Sequence, residues 1–370
     1  MEKQIDIIIP AYKAHKTIFK TLCSIAMQDM SDIIKVTIVD DHCPEGDYKA
    51  IAKLFKGQLD IDTRRLPENH GPGYARRYGI EHTSCPYIMF ADADDTYTNG
   101  FTITEFYNNI IKTKEDVIIS NFIEQHEDNT YIPHYSDVVW VFGKIYRRQF
   151  LIDHNITFTD MRANEDTCFN RKILIYRTHI NKNIPVLNSF TYLWHTTETS
   201  ITRINHSQYT YDQSICGFVD GSIEMFDWAE SQKINQEIIK DEIMGAMIYL
   251  YFTYCDVGSY SEVFQEQNLE YIKKFYNKLW KKYNLDFHSQ DFIDSFNENM
   301  KVWCGETNVA SPSKAEVFMA QPNIVQFMDM LADLEYNEDD IYKIQAKIPE
   351  DIKQNNINCG VCSKDYYEKK

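Results

Sequence analysis

The chain has 370 residues, of which 44% are hydrophobic, and its formal net charge is −17. A chain of this length exceeds one ordinary domain, so we expect two domains, and its hydrophobic fraction is ample for buried cores. The negative charge excludes a protein that binds nucleic acid or anionic lipid through its whole surface.

The charge is unevenly distributed along the chain. All ten arginines lie at or before Arg203, whereas from residue 206 onward 15 lysines stand against 28 acidic residues. Because the guanidinium group is the side chain best suited to bidentate phosphate recognition, a phosphate-bearing substrate would bind to the first part of the chain.

The remaining global features predict a cytoplasmic protein. The nine cysteines form no even framework, which fits a reducing compartment. The first residues lack the apolar region of a signal peptide, and no apolar segment reaches the ~18 residues of a membrane span. The most apolar segment, residues 243–255, is predicted to be a buried helix.

Short apolar segments and helical patterns alternate over the first hundred residues. Strands are predicted at 5–9, 36–39, 61–66 and 87–90, and helices between them at 16–28, 48–55 and 73–82. This order implies an α/β fold with a parallel sheet, whose ligands bind beyond the carboxyl ends of the strands. Both acidic clusters, Asp40-Asp41 and Asp92 to Asp95, fall at such ends.

Further along, the strand pattern gives way to helices. Helices are predicted at 101–112, 150–154 and 165–176, and strands at 117–122 and 186–194, with an irregular stretch at 138–145. Long helical patterns follow at 208–254, 261–283, 290–299 and 323–334. We therefore predict an α/β domain over residues 1–205, a mainly helical domain over 206–350 and a polar, flexible tail over 351–370.

The segment Asp92-Ala93-Asp94-Asp95 directly follows a predicted strand. Carboxylates two residues apart on a strand point to the same side and can share one small site. Oxygen-only ligands suit Mg²⁺ or Mn²⁺, which would neutralise a diphosphate. A polar turn that caps the next helix is the alternative, and the position at a strand end favours the metal site.

The segment from Asn69 to Gly79 connects the third strand to the following helix. Its glycines let the backbone approach a ligand, and Arg76 or Arg77 could meet phosphate on one helix face. The alternative is a glycine-containing turn with a solvated basic face. The segment matches neither the dinucleotide fingerprint nor the Walker A loop, which disfavours a dehydrogenase or a P-loop kinase.

Five motifs in register resemble the family 2 glycosyltransferases, which have the GT-A fold. They occupy residues 7–12, 38–41, 69–76, 90–95 and 164–166, and the resemblance covers about residues 1–205. The resemblance implies a Rossmann-like, mixed and mostly parallel sheet with flanking helices. It also implies a nucleotide-diphospho-sugar donor, a divalent metal and inversion at the anomeric carbon.

The resemblance also assigns roles to single residues. Donor binding falls to Pro10, Ala11, Tyr12, Asp40, Asp41, Asn69, Gly71, Arg76, Asp92 and Ala93. Among these, the acidic pair after the second strand would hold the base and ribose, Asp92 would lie near the ribose, and Arg76 would help to order the site. Asp94 would ligate the metal that bridges the two phosphates, with Asp95 as its neighbour.

Glu165-Asp166 opens the predicted helix 165–176. Inversion needs one general base that deprotonates the acceptor hydroxyl. The resemblance places this base at the acidic pair, and we choose Asp166. The helix N-terminus is expected to favour the ionised carboxylate and to keep its pKa low. The alternative is a pair of first-turn acids that only stabilise the helix dipole.

Three further groups have weaker assignments. In the resemblance, His195 completes the metal shell and Arg203 contacts phosphate. Trp140 and Lys144 lie between the metal motif and the base, where acceptor walls form, and aromatic rings stack on sugar faces. Core packing is the alternative for Trp140.

We therefore predict a metal-dependent inverting glycosyltransferase, with Mn²⁺ or Mg²⁺ as cofactor. It would move a sugar from a UDP-sugar or similar donor to a hydroxyl of a glycan or glycoconjugate. One alternative is a nucleotidyltransferase, although residues 10–15 lack the glycine-rich loop of that class. Another is a non-catalytic nucleotide-sugar-binding or scaffold protein. The acidic C-terminal helices disfavour a nucleic-acid acceptor and offer a surface for homo-oligomers.

Overall fold

A computed structural model describes residues 2–126, 128–159, 161, 164–196, 208–258, 262–304, 323–337 and 339–340. The chain divides into two compact units, Met1–Arg203 and Ile204–Lys370. Among the described residues, none of the helices combines the length and the apolar character that a bilayer span requires.

The first unit is built on one large sheet. Its strands are β1 (Ile5–Ala11), β2 (Ile34–Asp40), β3 (Asp60–Arg65), β4 (Tyr87–Phe90), β5 (Thr96–Tyr97), β6 (Val117–Gln125), β7 (Tyr131–His134), β8 (Lys144–Arg147) and β9 (Val186–Trp194). Its helices are α1 (Ile18–Ala26), α2 (Lys49–Leu54), α3 (Pro72–His82), α4 (Thr102–Thr113), α5 (Arg148–Asp153) and α6 (Glu165–His179).

The strands lie in the order β3-β2-β1-β4-β8-β6-β9-β5, and β7 pairs with β6. The first four strands of the chain are parallel to one another, as the alternating pattern predicted. Strand β8 is antiparallel to both of its neighbours, β4 and β6, while β6 and β9 are parallel. The predicted mixed α/β sheet is therefore confirmed, with antiparallel pairs concentrated in its second half.

The sheet is held by strands that are buried on both faces. Ile5, Ile7, Ile8 and Ile9 of β1 have no exposed surface, as expected for a central parallel strand. Helix α3 packs directly on this strand, because a Cβ atom at Gly79 would lie 2.5 Å from Cγ2 of Ile8. The glycine thus sets how closely α3, the helix that carries Arg76, approaches the carboxyl ends of the strands.

Some strands were not predicted. The irregular stretch at residues 138–145 contains the start of β8, and neither β5 nor β7 was expected. Strand β5 has only two residues, and most of β7 is exposed. Strands this short carry too few residues for a periodic pattern.

The described part of the second unit is helical, as predicted. Its helices are α7 (Gln208–Ser231), α8 (Gln236–Gly258), α9 (Glu262–Phe275), α10 (Gln290–Cys304) and α11 (Ile324–Asp333), and a π-helical turn, Tyr276–Trp280, continues α9. The pattern predicted as one helix over residues 208–254 is divided between α7 and α8. Lys233, at a left-handed φ of 55°, lies in the interruption.

Candidate active site

Hydrogen bonds from β9 and the residue after it hold the segment of carboxylates that follows β4. The backbone N–H of Asp92 donates to the Tyr192 hydroxyl at 2.9 Å, and the backbone N–H of His195 donates to Oδ1 of Asp95 at 2.8 Å. Asp95 is completely buried, and its Oδ2 has no hydrogen-bond partner among the described residues. Strand β9 therefore fixes the segment that carries the predicted metal ligands.

Three carboxylates, those of Asp92, Asp94 and Asp95, interact electrostatically in this segment. Burial raises the pKa of Asp95 well above its ordinary value, and the neighbouring charges of Asp94 and Asp92 also raise it. When ionised, the three groups repel one another. A bound cation would relieve this repulsion.

Lys20 brings a positive charge to this cluster and was not predicted from the sequence. Burial lowers the pKa of Lys20, and the charges of Asp95 and Asp94 act in the opposite direction. The available signal was modest, because Lys20 is the single charged residue of α1. Its proximity to the acids depends on how α1 packs beside the end of β4.

Arg76 connects the two acidic motifs. Its Nη2 donates to Oδ1 of Asp92 and its Nη1 donates to Oε1 of Glu165, both at 2.7 Å. Burial alone would lower the pKa of Arg76, but Asp92 and Glu165 raise it above its ordinary value, so the group stays charged. The guanidinium predicted to order the site thus lies between two carboxylates, rather than on an open helix face.

Glu165 and Asp166 begin helix α6 and differ in their surroundings. Asn164 adopts a left-handed conformation, with φ 63°, immediately before the helix. Gly73 lets α3 come close, because a Cβ there would lie 3.0 Å from Cβ of Glu165. Glu165 is buried against Arg76, whereas Asp166 keeps part of its surface exposed and accepts the Thr167 N–H at 2.7 Å.

The expectation that the helix N-terminus keeps the pKa of Asp166 low is wrong. Protein atoms displace most of the water around its carboxylate, which raises the pKa of Asp166 to about 7. The adjacent charge of Glu165 contributes to this rise, and the charge of Arg76 opposes it. Desolvation therefore outweighs the helix dipole, whose effect on a charge is typically below ~1 kcal/mol.

The predicted acid Asp41, after β2, forms hydrogen bonds with the loop that precedes α3. The Asp41 carboxylate accepts the N–H groups of His70 and Gly71 at 2.8 and 2.7 Å, and the Asn69 side chain donates to the Asp41 carbonyl at 3.0 Å. Gly71 has φ 91°, a conformation that favours glycine. The motif glycines thus serve the turn and the packing of α3.

Asp40 also has protein partners. It accepts hydrogen bonds from Nη1 of Arg65 at 2.6 Å and from the Cys43 N–H at 2.8 Å. The end of β1 joins this group, because the Asp41 N–H donates to the Ala11 carbonyl at 3.0 Å. A carboxylate can accept about four hydrogen bonds, so a ligand that contacts these acids would share them with the protein.

The predicted acceptor residues lie at different depths. The Trp140 ring is half-buried, 4.7 Å from the ring of Trp194 and stacked on Phe142 at 5.8 Å. Lys144 is buried beneath this loop and donates to the Trp140 carbonyl. Burial lowers the pKa of Lys144 to about 8, although Asp137 and Asp166 act in the opposite direction. Trp194 was not among the predicted site residues.

Asn170, also missed from the sequence, ties this loop to helix α6. Its side-chain amide donates to the carbonyls of Val139 and Trp140 at 2.8 and 3.1 Å, and its oxygen accepts from the Tyr146 hydroxyl at 2.8 Å. Asn170 lies four residues after Asp166, one turn along the same helix face. The helix that presents Asp166 therefore also fixes the loop that carries Trp140.

His195 lies beside the carboxylate cluster. Its Nδ1 is 3.0 Å from Oε1 of Gln125 and its Nε2 is 2.9 Å from the Thr96 hydroxyl. Burial lowers the pKa of His195 to about 4, and Lys20 lowers it further, so the ring is neutral near pH 7. Arg203, assigned to phosphate by the resemblance, lies outside the described residues.

Comparison with known proteins identifies several relatives that are named glycosyltransferases. Residues 6–164 match the family model described as Glycosyl transferase family 2. Glycosyltransferase GlyA of Streptococcus pneumoniae serotype 4 is 23% identical over 235 residues, which span 55% of this chain and 32% of that protein. Processive diacylglycerol beta-glycosyltransferase of Mycoplasma genitalium is 27% identical over 119 residues, 32% of this chain and 35% of that protein. The chain spans about a third of the length of these curated relatives.

A solved structure shows the same fold. The crystal structure of S. aureus TarS 1-349 in complex with UDP-GlcNAc superposes with a TM-score of 0.51 at 18% identity, covering 80% of this chain and 92% of that chain. The mixed sheet, with carboxylates at the end of β4, is thus the GT-A fold. Residues 6–164 therefore resemble glycosyl transferase family 2, as predicted, and the relatives named as glycosyltransferases support the prediction of a transferase.

Proposed function

We propose that the chain is an inverting glycosyltransferase that moves a sugar from a nucleotide-diphospho-sugar to a hydroxyl of a glycan or glycoconjugate. The observation that carries this proposal is the division of roles within the acidic pair of α6. Glu165 is committed to Arg76, whereas Asp166 is partly exposed and its pKa is raised to about 7.

In the proposed reaction Asp166 is the general base. It takes the proton from the acceptor hydroxyl while the hydroxyl oxygen attacks the anomeric carbon and the bond to the diphosphate breaks. A base is most effective when its pKa lies near the working pH, which a value of about 7 satisfies. Glu165 is paired with Arg76, which leaves Asp166 as the acid of the pair that takes the proton.

The carboxylate cluster fits a divalent cation. Asp95 Oδ2 is buried without a partner among the described residues, and the charges of Asp92 and Asp94 raise the pKa of Asp95. Mg²⁺, and by analogy Mn²⁺, commonly takes one or two carboxylates, with waters and substrate phosphates in its other positions. We assign Asp94 as the principal ligand. A bound cation would neutralise the charge that develops on the departing diphosphate.

His195 is proposed as a second neighbour of the cation. The oxygen of Gln125 can only accept a hydrogen bond, so Nδ1 of His195 carries the hydrogen and Nε2 keeps its lone pair. Nε2 accepts from Thr96 in this structure, and rotation of that hydroxyl would release it. The lowered pKa keeps the imidazole neutral, which metal binding requires.

Donor binding is proposed for the loops at the ends of the first two strands and for the start of α3. These loops contain Pro10, Ala11, Tyr12, Asp40, Asp41, Asn69 and Gly71, with Asp92 and Ala93 beside them. Lys20 and Arg203 are proposed to meet the phosphates, because a lysine beside the carboxylate cluster can reach the same diphosphate. A UDP-sugar is the first donor to test, since TarS shares this fold and is solved with UDP-GlcNAc.

Acceptor binding is proposed for the indoles of Trp140 and Trp194. Their rings are half-buried and lie 4.7 Å apart, so their faces offer a stacking surface for a sugar ring. Lys144 is proposed to support this wall from below. The role of the helical second unit, whether in acceptor binding or in self-association, stays a prediction.

A donor screen tests the proposal. The full chain is incubated with UDP-, GDP-, CDP- and dTDP-sugars, with Mn²⁺, Mg²⁺ or a chelator, and released nucleotide is measured. We expect release with one nucleotide class, and its loss with the chelator or with Asp94→Asn. Asp153→Asn, at an exposed acid on α5, is the matched control and should behave as wild type. Release that is insensitive to Asp94→Asn would contradict the metal assignment, and the absence of nucleotide binding would contradict the proposed function.

A further inference from the structure

A second group of potential metal ligands lies in the first unit, outside the proposed catalytic residues. His15 follows β1, and Cys43 and Glu45 follow β2. Nδ1 of His15 lies 3.4 Å from Oε2 of Glu45 and 3.8 Å from Sγ of Cys43, and the three ligand atoms all lie within 4.8 Å of one another. Among the described residues, this is the one group in which three such atoms converge.

The tautomer of His15 prepares Nδ1 for a cation. Its Nε2 lies 3.3 Å from the carbonyl oxygen of Asp47, which can only accept, so Nε2 carries the hydrogen. Metal-binding histidines are usually oriented by this kind of N–H to carbonyl bond. With the hydrogen on Nε2, the lone pair of Nδ1 faces the sulfur of Cys43 and the carboxylate of Glu45, an arrangement that suits a metal ion.

Two hydrogen-bond donors face the sulfur of Cys43. The sulfur is buried and accepts the Lys13 N–H at 3.2 Å. Tyr48 accepts the Ala14 N–H at 3.0 Å, so its own hydroxyl hydrogen is available to the sulfur, with which Tyr48 shares a hydrogen bond. Outer hydrogen bonds of this kind orient a ligand atom towards a metal ion.

The ligand set and its spacing suit zinc. Zn²⁺ takes cysteine sulfur at ~2.3 Å and histidine nitrogen or carboxylate oxygen at ~2.0–2.2 Å, so ligand atoms around a tetrahedral ion are separated by about 3.3–3.6 Å. The separations of 3.4 and 3.8 Å from Nδ1 of His15 require adjustments of only a few tenths of an ångström, and the third pair, the Cys43 sulfur and the Glu45 carboxylate, lies within 4.8 Å. The side chain of Glu45 is 55% exposed, which leaves room for water as the fourth ligand.

We propose that His15, Cys43 and Glu45 bind a zinc ion that fastens the loop after β2 to the loop after β1. This would be a second metal site, chemically distinct from the oxygen-only cluster at Asp92 to Asp95. Its occupancy does not depend on the proposed transfer reaction, because none of its three ligands has a role in that reaction.

Metal binding by the full chain tests this proposal. Cys359 and Cys362 form a CxxC pair in the sequence and could bind a metal ion themselves. The measurements are therefore made in a background in which both are replaced by serine. After treatment with a chelator, the protein is titrated with Co²⁺, whose thiolate-to-metal charge-transfer absorption reports cysteine ligation, and Zn²⁺ is then used to displace Co²⁺. We expect one equivalent of metal with this absorption.

The variants separate this site from the catalytic cluster. Cys43→Ser should abolish the charge-transfer absorption, and Glu45→Gln, at an exposed position that folding tolerates, should weaken Zn²⁺ binding by at least about tenfold. Cys23→Ser and Asp94→Asn should keep both the absorption and the stoichiometry. Absence of the absorption in the background protein, or its persistence in Cys43→Ser, would overturn the proposal.

Discussion

Oε1 of Glu165 accepts a hydrogen bond from Nη1 of Arg76 at 2.7 Å, and both side chains are buried. The same guanidinium holds Asp92, so one cation links the helix that carries the proposed base to the segment that carries the proposed metal ligand. Because Glu165 is paired in this way, we propose different tasks for the two acids of the pair.

Replacing Asp166 by asparagine should abolish sugar transfer but leave donor binding unchanged. A general base contributes about 10²–10⁴-fold, so we expect kcat of Asp166→Asn to fall by that factor. Donor affinity, measured by calorimetric titration with UDP and Mn²⁺, should stay within about twofold, since the amide keeps the size of the side chain. Transfer at the wild-type rate would show that another residue is the base.

The rate should increase with pH through about 7. The pKa of Asp166 is raised from 3.8 to about 7, and only the ionised form can accept a proton. We therefore expect kcat/KM to fall by about tenfold per pH unit below that value, and to level off above it. A profile that is flat between about pH 5 and about pH 8 would contradict the assignment.

The raised pKa of Asp166 affects the free energy of unfolding in the opposite direction: as the pH rises, the rate increases but the stability falls. An acid whose pKa is raised on folding stabilises the folded state below its unfolded pKa, and this contribution is lost as the pH rises through the folded value. Between pH 3.8 and about 7, wild type should therefore lose stability relative to Asp166→Asn, and above about 7 the difference should be constant. Thermal unfolding of the two proteins across this range measures it.

Removing the charge of Arg76 should destabilise the first unit. Arg76→Met leaves Asp92 and Glu165 without their shared cation, and breaking a buried ion pair costs about 3–5 kcal/mol. Arg77→Met is the matched control: Arg77 is more exposed, with Glu81 at 3.9 Å and the Tyr74 ring at 4.8 Å, so its loss should cost less than the loss of Arg76. Denaturant unfolding of the two variants compares these values.

The contacts of Arg76 show where sequence reasoning reaches its limit. The strands at 87–90 and 186–194 were predicted with their observed bounds, because apolar residues between polar turns specify strands locally, whereas β7, as short as β4, is mostly exposed and lacks this signal. The motif acids were found for a similar reason, since each directly follows a strand or begins a helix. Which acid Arg76 neutralises depends on α3 packing near α6, and no local pattern encodes that.

Lys20, Asn170 and Trp194 were missed for the same physical reason. Each reaches the site through tertiary packing, and their partners are distant in the sequence: Asn170 bonds to the carbonyl of Val139, 31 residues earlier. The pKa of Asp166 was misjudged because the helix dipole is a local effect, whereas desolvation depends on the surrounding elements. Sequence patterns therefore locate acids at the ends of strands and helices, but not the neighbours that change their pKa.

The packing of α3 on β1 should not tolerate a side chain at residue 79. Gly79→Ala places a methyl group 2.5 Å from Ile8 Cγ2, and such overpacking costs about 1–3 kcal/mol. Gly245→Ala is the control within α8, where a Cβ meets nothing within 4 Å, and it should stabilise its helix by about 0.5–1 kcal/mol. Equal effects of the two changes in thermal unfolding would show that α3 can shift away from β1.

Loss of the Asn170 amide should weaken the binding of the acceptor more than the binding of the donor. Asn170→Leu removes the hydrogen bonds to the Val139 and Trp140 carbonyls, which frees the loop that carries the indole. We expect the KM for the acceptor to increase by about tenfold or more, as one lost buried hydrogen bond costs about 1–3 kcal/mol. The donor affinity should stay unchanged, and Asn109→Leu on α4 serves as the control. A change confined to the donor would contradict this placement of the acceptor.

The hydrogen bond between Asp95 and the backbone of His195 also has a consequence for the growing chain on the ribosome: the acidic segment is made before the strand that holds it. These residues are 100 positions apart, so the ribosome releases the acidic segment well before the strand that anchors it. At about 5–20 residues per second, the delay is roughly 5–20 s. A nascent chain arrested before Val186 lacks β9, so a UDP affinity matrix should not retain it in the presence of Mn²⁺. The same matrix should retain chains that extend past His195. Donor capture is thus one of the last properties that the first unit acquires during translation.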